Sequence, residues 1–390
     1  MKNRKFLIGV IWLVAIGIII TSILLVYLVF NNLEQGPQDT STQSLSTPTP
    51  IPFEGQAVNL IWFYKPPKNG NLTKIAENFD MLILTSNDED ERDELKEMGI
   101  STPVLQYLSF EAIQDPGSCD KKPFQNQVAN RAGDFCYISE HYPDWFLLDF
   151  NGERMIGDGY VIMDPGNQEW RAFWLERAIQ SQEYLGWDGV FLDNVEASLS
   201  KRARREQLPA AYLTDASYQI AVLGFLQYIY INYFQPQQRP LMANIIALDD
   251  PAVWFEYLQY LDGAMEEGWG VDWHDGYHSP EMWESHLYRS DQTQAMGKTA
   301  ILVSQGSQAD AERQIFAYAS YLLTTYGKAV FRYTNAAKYR EIWLYPNYEL
   351  DLGEPMGSRY FDGTLWHRDF TNGTVRVDPE KNTAIIETFE

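Results

Sequence analysis

Gly186-Trp-Asp-Gly-Val-Phe-Leu-Asp-Asn-Val-Glu196 decides how this chain is read. Asp188-Gly189 reads as a turn pair, because glycine accepts backbone angles that other residues resist. Val190-Phe191-Leu192 is a short apolar run, of the kind buried on both faces in a parallel sheet. The run ends in Asp193-Asn194, with Glu196 two residues on. Polar groups where a buried strand leaves its sheet lie at the carboxyl edge, which carries the chemistry in α/β barrels. Alone, Asp193 is read equally well as a cap on the next turn.

A second stretch repeats the pattern. Asp262-Gly-Ala-Met-Glu-Glu267 matches Asp188-Gly-Val-Phe-Leu-Asp193: Asp-Gly, three residues, then an acid. If both start at the same level below the sheet, Asp193 and Glu267 reach one height on two strands. Glu266 competes with Glu267, since strand side chains alternate, and the match to Asp193 favours Glu267. Two carboxylates flanking a bond are what glycoside hydrolysis needs. The competing reading is a buried ion pair or a calcium site.

Other β-prone runs extend outward from these two. Starts at Leu60, Met81, Val104, Val190, Leu241, Asp262, Thr299 and Ala329 make eight strands. Helical segments separate them, at 88–98, 167–185, 210–234, 251–260, 281–297 and 309–326. Alternation of this kind implies parallel βαβ units, and eight closes a (β/α)8 TIM barrel over residues 53–340. A doubly wound open sheet is the alternative, but no glycine-rich phosphate loop follows the first run. Ser109 to Gly159 is a long excursion with a hairpin signal at Asp149-Phe-Asn-Gly152, suited to a cleft wall. Tyr160–Met163 is either an extra strand or part of that excursion. Residues 341–390 are turn-rich and read as a β appendage.

The first fifty-two residues are of another kind. Lys2, Arg4 and Lys5 precede an uncharged apolar run, Phe6–Phe30, long enough to cross a bilayer. Residues 1–30 read as a membrane anchor with a cytoplasmic N-terminus, and the body outside the cytoplasm. An unusually long cleaved signal is the alternative. Residues 31–52, rich in Ser, Thr and Pro, read as an extended spacer. In that compartment Cys119 and Cys136, seventeen positions apart, are expected to form a disulfide rather than two free thiols. Such a loop closure stabilises by roughly 3 kcal/mol. Asn71 and Asn372 head Asn-x-Thr sequons, which matter only in an organism that glycosylates them.

Formal net charge of −23 argues against nucleic acid or polyanions as partners. The 12 Trp and 24 Tyr suit a groove in which sugar rings stack, although a core would also use them. Candidate sugar-binding residues are Asp164, Asn194, Asn244, Trp269, Tyr64 and Gln106; each stands at a run's end and also has a capping or core reading. Gln305 and Arg332 occupy similar edges. His274, His278 and Glu281 are interrupted by Gly276 and Pro280, so a polar loop is the better reading than a metal site. No nucleophile elbow or cofactor motif is present in the sequence.

Three motifs occur in order and carry a family resemblance. Met163-Asp-Pro165 with Trp170, then Gly186 to Asn194, then Leu261-Asp-Gly-Ala-Met-Glu-Glu-Gly-Trp269, resemble the glycoside hydrolase-like family numbered fifteen. They also look like the related endo-α-1,4-polygalactosaminidase group. The tail is similar at Leu352-Gly-x-Pro355 and Arg368-Asp-Phe-Thr-Asn-Gly373, and departs at Val377-Asp378-Pro379, where Asn-Pro is usual. The resemblance implies a (β/α) barrel with catalytic acids at Asp193 and Glu267. The expectation is a membrane-tethered extracytoplasmic glycosidase acting on a polysaccharide or surface glycan, without a cofactor. Asp193 would be nucleophile or base, and Glu267 a general acid with a raised pKa. A non-catalytic glycan-binding barrel at the cell surface is the alternative.

Overall fold

A computed structural model describes Phe53 and residues 58–389, apart from 158, 204–207, 247, 249–250 and 275. The expected anchor and most of the spacer lie outside the described residues. Among the described residues no helix is long and apolar enough to cross a membrane.

The first barrel strands are β1 (Ile61–Phe63), β2 (Met81–Thr85) and β3 (Val104–Ser109). An excursion then carries the short strands β4 (Ala112–Ile113), β5 (Ile156–Gly157) and β6 (Tyr160–Ile162). The barrel resumes with β7 (Gly189–Glu196), β8 (Leu241–Ile246), β9 (Gly263–Glu266), β10 (Thr299–Gln305) and β11 (Ala329–Thr334). These eight strands pair in parallel in chain order, β1-β2-β3-β7-β8-β9-β10-β11. A parallel bridge between Leu60 and Phe331 joins the last strand to the first. The fold is a (β/α)8 barrel. Its interior is filled by Ile61, Phe63, Ile83, Leu105, Phe191, Met265, Ile301 and Val303, with the helices packed outside on the alternate residues.

The repeated Asp-Gly pair has a different cause from a turn. Gly189 and Gly263 are absent from the residues with positive φ; space is what demands glycine there. A Cβ on Gly189 would lie 2.4 Å from the Pro240 carbonyl oxygen, and one on Gly263 2.7 Å from that of Thr299. The preceding aspartates tie strands together from below. Asp188 accepts the Val104 N–H (2.9 Å) and Asp262 the Leu241 N–H (3.0 Å). Both stretches therefore enter the barrel through one device.

Register sets their height. Phe191 pairs with Met242, and Met242 with Gly263, so Gly263 is offset two positions from Gly189 across two strands. One residue per strand is the stagger by which an eight-stranded barrel of shear eight keeps equal positions level. Asp193 and Glu267 accordingly reach the same rim.

Helix ends follow local chemistry. Asn167 caps Gln168–Tyr184, accepting from the N–H groups of Glu169 and Trp170 at 3.0 Å. The helix expected from residue 210 begins at Asp215, because Thr214 and Ser217 form a capping box. Tyr160–Ile162 belongs to the excursion, pairing with β4 and β5 in a separate three-stranded sheet. The excursion turns at Asp149–Gly152, where Asp149 N–H donates to the Glu153 carbonyl (2.9 Å). Cys119 and Cys136 are disulfide-bonded within it. Its Phe135, Trp145 and Phe146 share one core cluster with Trp170 and Trp174 of the helix beside it.

After the barrel, β12 (Tyr360–Phe361), β13 (Trp366–Phe370), β14 (Gly373–Asp378) and β15 (Thr383–Thr388) form an antiparallel sheet. Arg368 fastens it, donating from Nη1 to the carbonyls of Leu322 (2.9 Å) and Thr325 (2.6 Å) at the end of helix Ala311–Thr324. Asp378, the departure from the family's tail, is buried and accepts the N–H groups of Glu380 and Lys381 at 3.1 Å. It closes the turn into β15.

Candidate active site

Asp193 and Glu267 meet at one residue. Asn244, within β8 and 2% exposed, donates from Nδ2 to Asp193 Oδ1 (3.1 Å) and to Glu267 Oε2 (2.8 Å). Those two carboxylate oxygens can be no further apart than the two contacts together, 5.9 Å. A single amide bridging both acids is the centre of the site.

Each carboxylate has further donors. Asp193 Oδ2 accepts from the Tyr107 hydroxyl and from Asn194 Nδ2 (2.9 Å). Asn194 reaches its neighbour because the β7–β8 register slips between Leu192 and Val195, and Asn194 adopts φ +60°. The bulge breaks the alternation that would point the two residues apart, and asparagine tolerates that left-handed angle. Glu267 Oε1 accepts from the Tyr339 hydroxyl at 2.6 Å.

The electrostatics differ between neighbouring acids. Glu267 is pushed up to about 7 by burial and by the Asp193 charge, against the donors Tyr339 and Asn244. Glu266 points the other way. It is buried, with His286 Nε2 at 3.0 Å and Arg289 Nη1 at 2.8 Å from Oε1. Burial raises its pKa, but these neighbours outweigh that and hold it below the usual carboxylate value. Burial and the adjacent carboxylates push the hydroxyls of Tyr107 and Tyr339 well up, so both stay protonated donors.

Beside Asp193 lies a cavity of about 290 Å³, lined among others by Tyr64, Tyr107, Glu111, Tyr160, Asn194 and Lys201. Tyr64 stands 4.9 Å from Tyr107, ring to ring. Two ion pairs line one flank: Lys201 with Glu196 (3.0 Å), and Arg202 with Glu111. Burial pushes Glu111 up to about 7 even with Arg202 against it.

Three expected sugar contacts are placed elsewhere. Gln106 is on the outer face of β3, donating to Ser86 Oγ (2.8 Å) and accepting from Ser181 Oγ (2.7 Å) and Gln182 Nε2 (3.2 Å). Alternation turns it from the mouth and turns Tyr107 toward it. Trp269 is fully buried, stacked on His286 at 6.1 Å, and no sugar ring reaches it. Asp164 accepts from the Tyr212 hydroxyl and the Gly166 N–H (2.8 Å), a local turn role. His278 Nε2 lies 2.8 Å from the Gly268 carbonyl. Among the described residues no three His, Cys, Asp or Glu side chains converge as a metal site.

Tyr107 and Tyr339 were not foreseen. Tyr107 had a signal, since it alternates with buried Leu105 on the inner face of β3. Tyr339 had none: it stands in the loop after β11, just past the turn Ala336–Lys338.

The (β/α)8 barrel thus carries two carboxylates at one rim, joined through Asn244. The chain belongs to hypothetical glycosyl hydrolase family 15, whose sequence model matches residues 100–374. No curated protein matches the sequence. Among solved structures it is similar to the glycoside hydrolase domain of PelA from Pseudomonas aeruginosa, at 16% identity and TM-score 0.49, covering 74% of this chain and 98% of that one. A maltogenic α-amylase, AmyB from Thermotoga neapolitana, has 13% identity and TM-score 0.49, covering 83% and 86%. Aspergillus fumigatus Ega3, solved with galactosamine, has 10% identity and TM-score 0.43, covering 74% and 94%.

Proposed function

We propose that this protein hydrolyses O-glycosidic bonds of a polysaccharide or surface glycan with retention of configuration, tethered to a membrane by residues 6–30 with its barrel outside the cytoplasm. The observation that carries the chemistry is the Asn244 bridge, which keeps the facing oxygens of Asp193 and Glu267 within 5.9 Å. A carboxylate pair that shares one amide donor fits the separation of about 5–5.5 Å found between the carboxyl groups of retaining glycosidases.

In the first step Asp193 attacks the anomeric carbon and forms a glycosyl ester. The carbon–oxygen bond to the leaving sugar breaks, and that oxygen takes the proton of Glu267. A pKa of about 7 keeps this proton available near neutrality. In the second step the Glu267 carboxylate takes a proton from water while the water oxygen adds to the anomeric carbon and Asp193 departs. Tyr107, Asn194 and Asn244 all donate to Asp193, an arrangement suited to an anionic nucleophile. Tyr64, half-buried beside the cavity, supports the reading as an aromatic surface for a sugar ring.

Release of reducing ends from cell-wall and exopolysaccharides tests the activity, with proton NMR of the first-formed anomer as the stereochemical readout. Retention is expected, and loss of at least about a thousandfold in Asp193→Asn and Glu267→Gln, with both variants still unfolding cooperatively. An inverted first product, or full activity in either variant, overturns the assignment.

A further inference from the structure

The acid Glu267 is held from outside the sheet that carries it. Its Oε1 accepts from Tyr339 (2.6 Å), and the Tyr339 oxygen in turn accepts from Gln305 Nε2 (2.9 Å). Gln305 closes β10, and Tyr339 follows β11, so three elements meet in one chain of hydrogen bonds. The direction of that chain is determined by chemistry. An amide nitrogen can only donate, so Gln305 occupies a lone pair of the Tyr339 oxygen and leaves the hydroxyl hydrogen to point at Glu267.

The loop bearing Tyr339 is itself clamped. Arg332 Nη2 donates to the Tyr339 carbonyl (2.6 Å), with its guanidinium 4.3 Å over the Trp62 ring. Asn335 Nδ2 donates to the Gly306 carbonyl (3.1 Å), and Arg340 Nε to that of Pro66 (2.9 Å). The Tyr339 ring packs edge-on against Phe63 at 4.9 Å. A side chain fastened at this many points serves geometry rather than a mobile contact.

We propose that Tyr339, oriented by Gln305, is a positioning residue for Glu267, fixing which edge of its carboxyl group faces the bond to be cleaved. This inference rests on the hydrolase reading for its consequence in catalysis, but the positioning can be measured without it. Glu267 faces Asp193 from β7, Tyr107 from β3 and Lys201 from the helix Ser200–Ala203, beside neutral Asn244. Among these neighbours Tyr339 and Asn244 hydrogen-bond it directly, and both favour its charged form. Loss of the Tyr339 hydroxyl must therefore raise the proton affinity of Glu267.

The test follows the 13C resonance of the Glu267 carboxyl, identified by its absence in Glu267→Gln, through a pH titration. Tyr339→Phe is expected to move the midpoint up by about one unit, a tenfold change in proton affinity. Gln305→Met, which leaves the hydroxyl free to turn away, is expected to move it the same way by less, and it guards against a folding defect in the first variant. On any glycan that is cleaved, kcat should fall about tenfold with KM within about twofold, and the alkaline limb should shift upward. Unchanged midpoints in both variants overturn the proposal. So does a raised KM with unchanged kcat, which would make Tyr339 a sugar contact. If the native protein cleaves nothing, the hydrolase reading falls while the titration still decides the positioning.

Discussion

At the scale of single residues, the two adjacent acids of β9's end illustrate how environment divides identical chemistry. The folded protein holds the Glu267 proton more tightly than an unfolded chain, whose carboxyl titrates near 4.5. Stability contributed there is full below 4.5 and declines as pH rises through about 7. Glu267→Gln, which cannot ionise, is therefore expected to match the native protein at pH 4 and exceed its stability at pH 8 by roughly 2 kcal/mol. Urea unfolding at both pH values checks this, and a difference independent of pH would show that the carboxyl is not perturbed. Glu266 has the opposite sign. Glu266→Gln strands the Arg289 charge in the interior and is expected to cost about 3 kcal/mol at pH 7, read by the same unfolding experiment. No loss would mean that the ion pair is dispensable. The matched Asp-Gly templates made Glu267 legible in the sequence, but which acid faced the mouth was decided by strand alternation ending against a helix that carries the Arg289 cation beside His286, an imidazole that burial holds neutral.

At the scale of elements, the expected strand starts fall within a residue of those observed, because each short apolar run is a local signal. The devices that align the strands were less visible. Asp188 and Asp262 work by accepting a neighbouring strand's first N–H, and Gly189 and Gly263 by letting backbones approach. A Gly263→Ala substitution is expected to destabilise the barrel by about 1–3 kcal/mol, since a Cβ 2.7 Å from the Thr299 oxygen must push β9 away. A neutral effect in thermal unfolding would show that β9 can shift. Expectations for Gln106 and Trp269 used position along the chain alone. One faces outward by the two-residue period of its strand, and the other lies in a loop that folds back into the core.

At the scale of the whole molecule, the acidic balance of −23 should shape which glycans are approached. Hydrolysis of a polyanionic glycan is expected to quicken as salt rises from 0.01 to roughly 0.15 M, by screening repulsion, while a neutral glycan of similar length shows no such trend. Equal salt dependence for both would show that the net charge does not govern encounter. Closure of the barrel also belongs to this scale. Leu60 pairs with Phe331 across most of the folded chain, and the excursion, with its own disulfide and hairpin, packs where it lines the cavity beside Asp193.

The sequence by itself determined the eight strands, their order, the excursion, the appendage and the two acids of the opening and matching stretches, because each is written in a few neighbouring residues. Only the tertiary structure decided that Asn244 spans both carboxylates, that Tyr107 and Tyr339 complete their hydrogen bonds, and that Trp269 is sealed in the core. Those contacts join residues far apart in the chain, and they depend on the stagger and closure of the barrel, which no local pattern encodes.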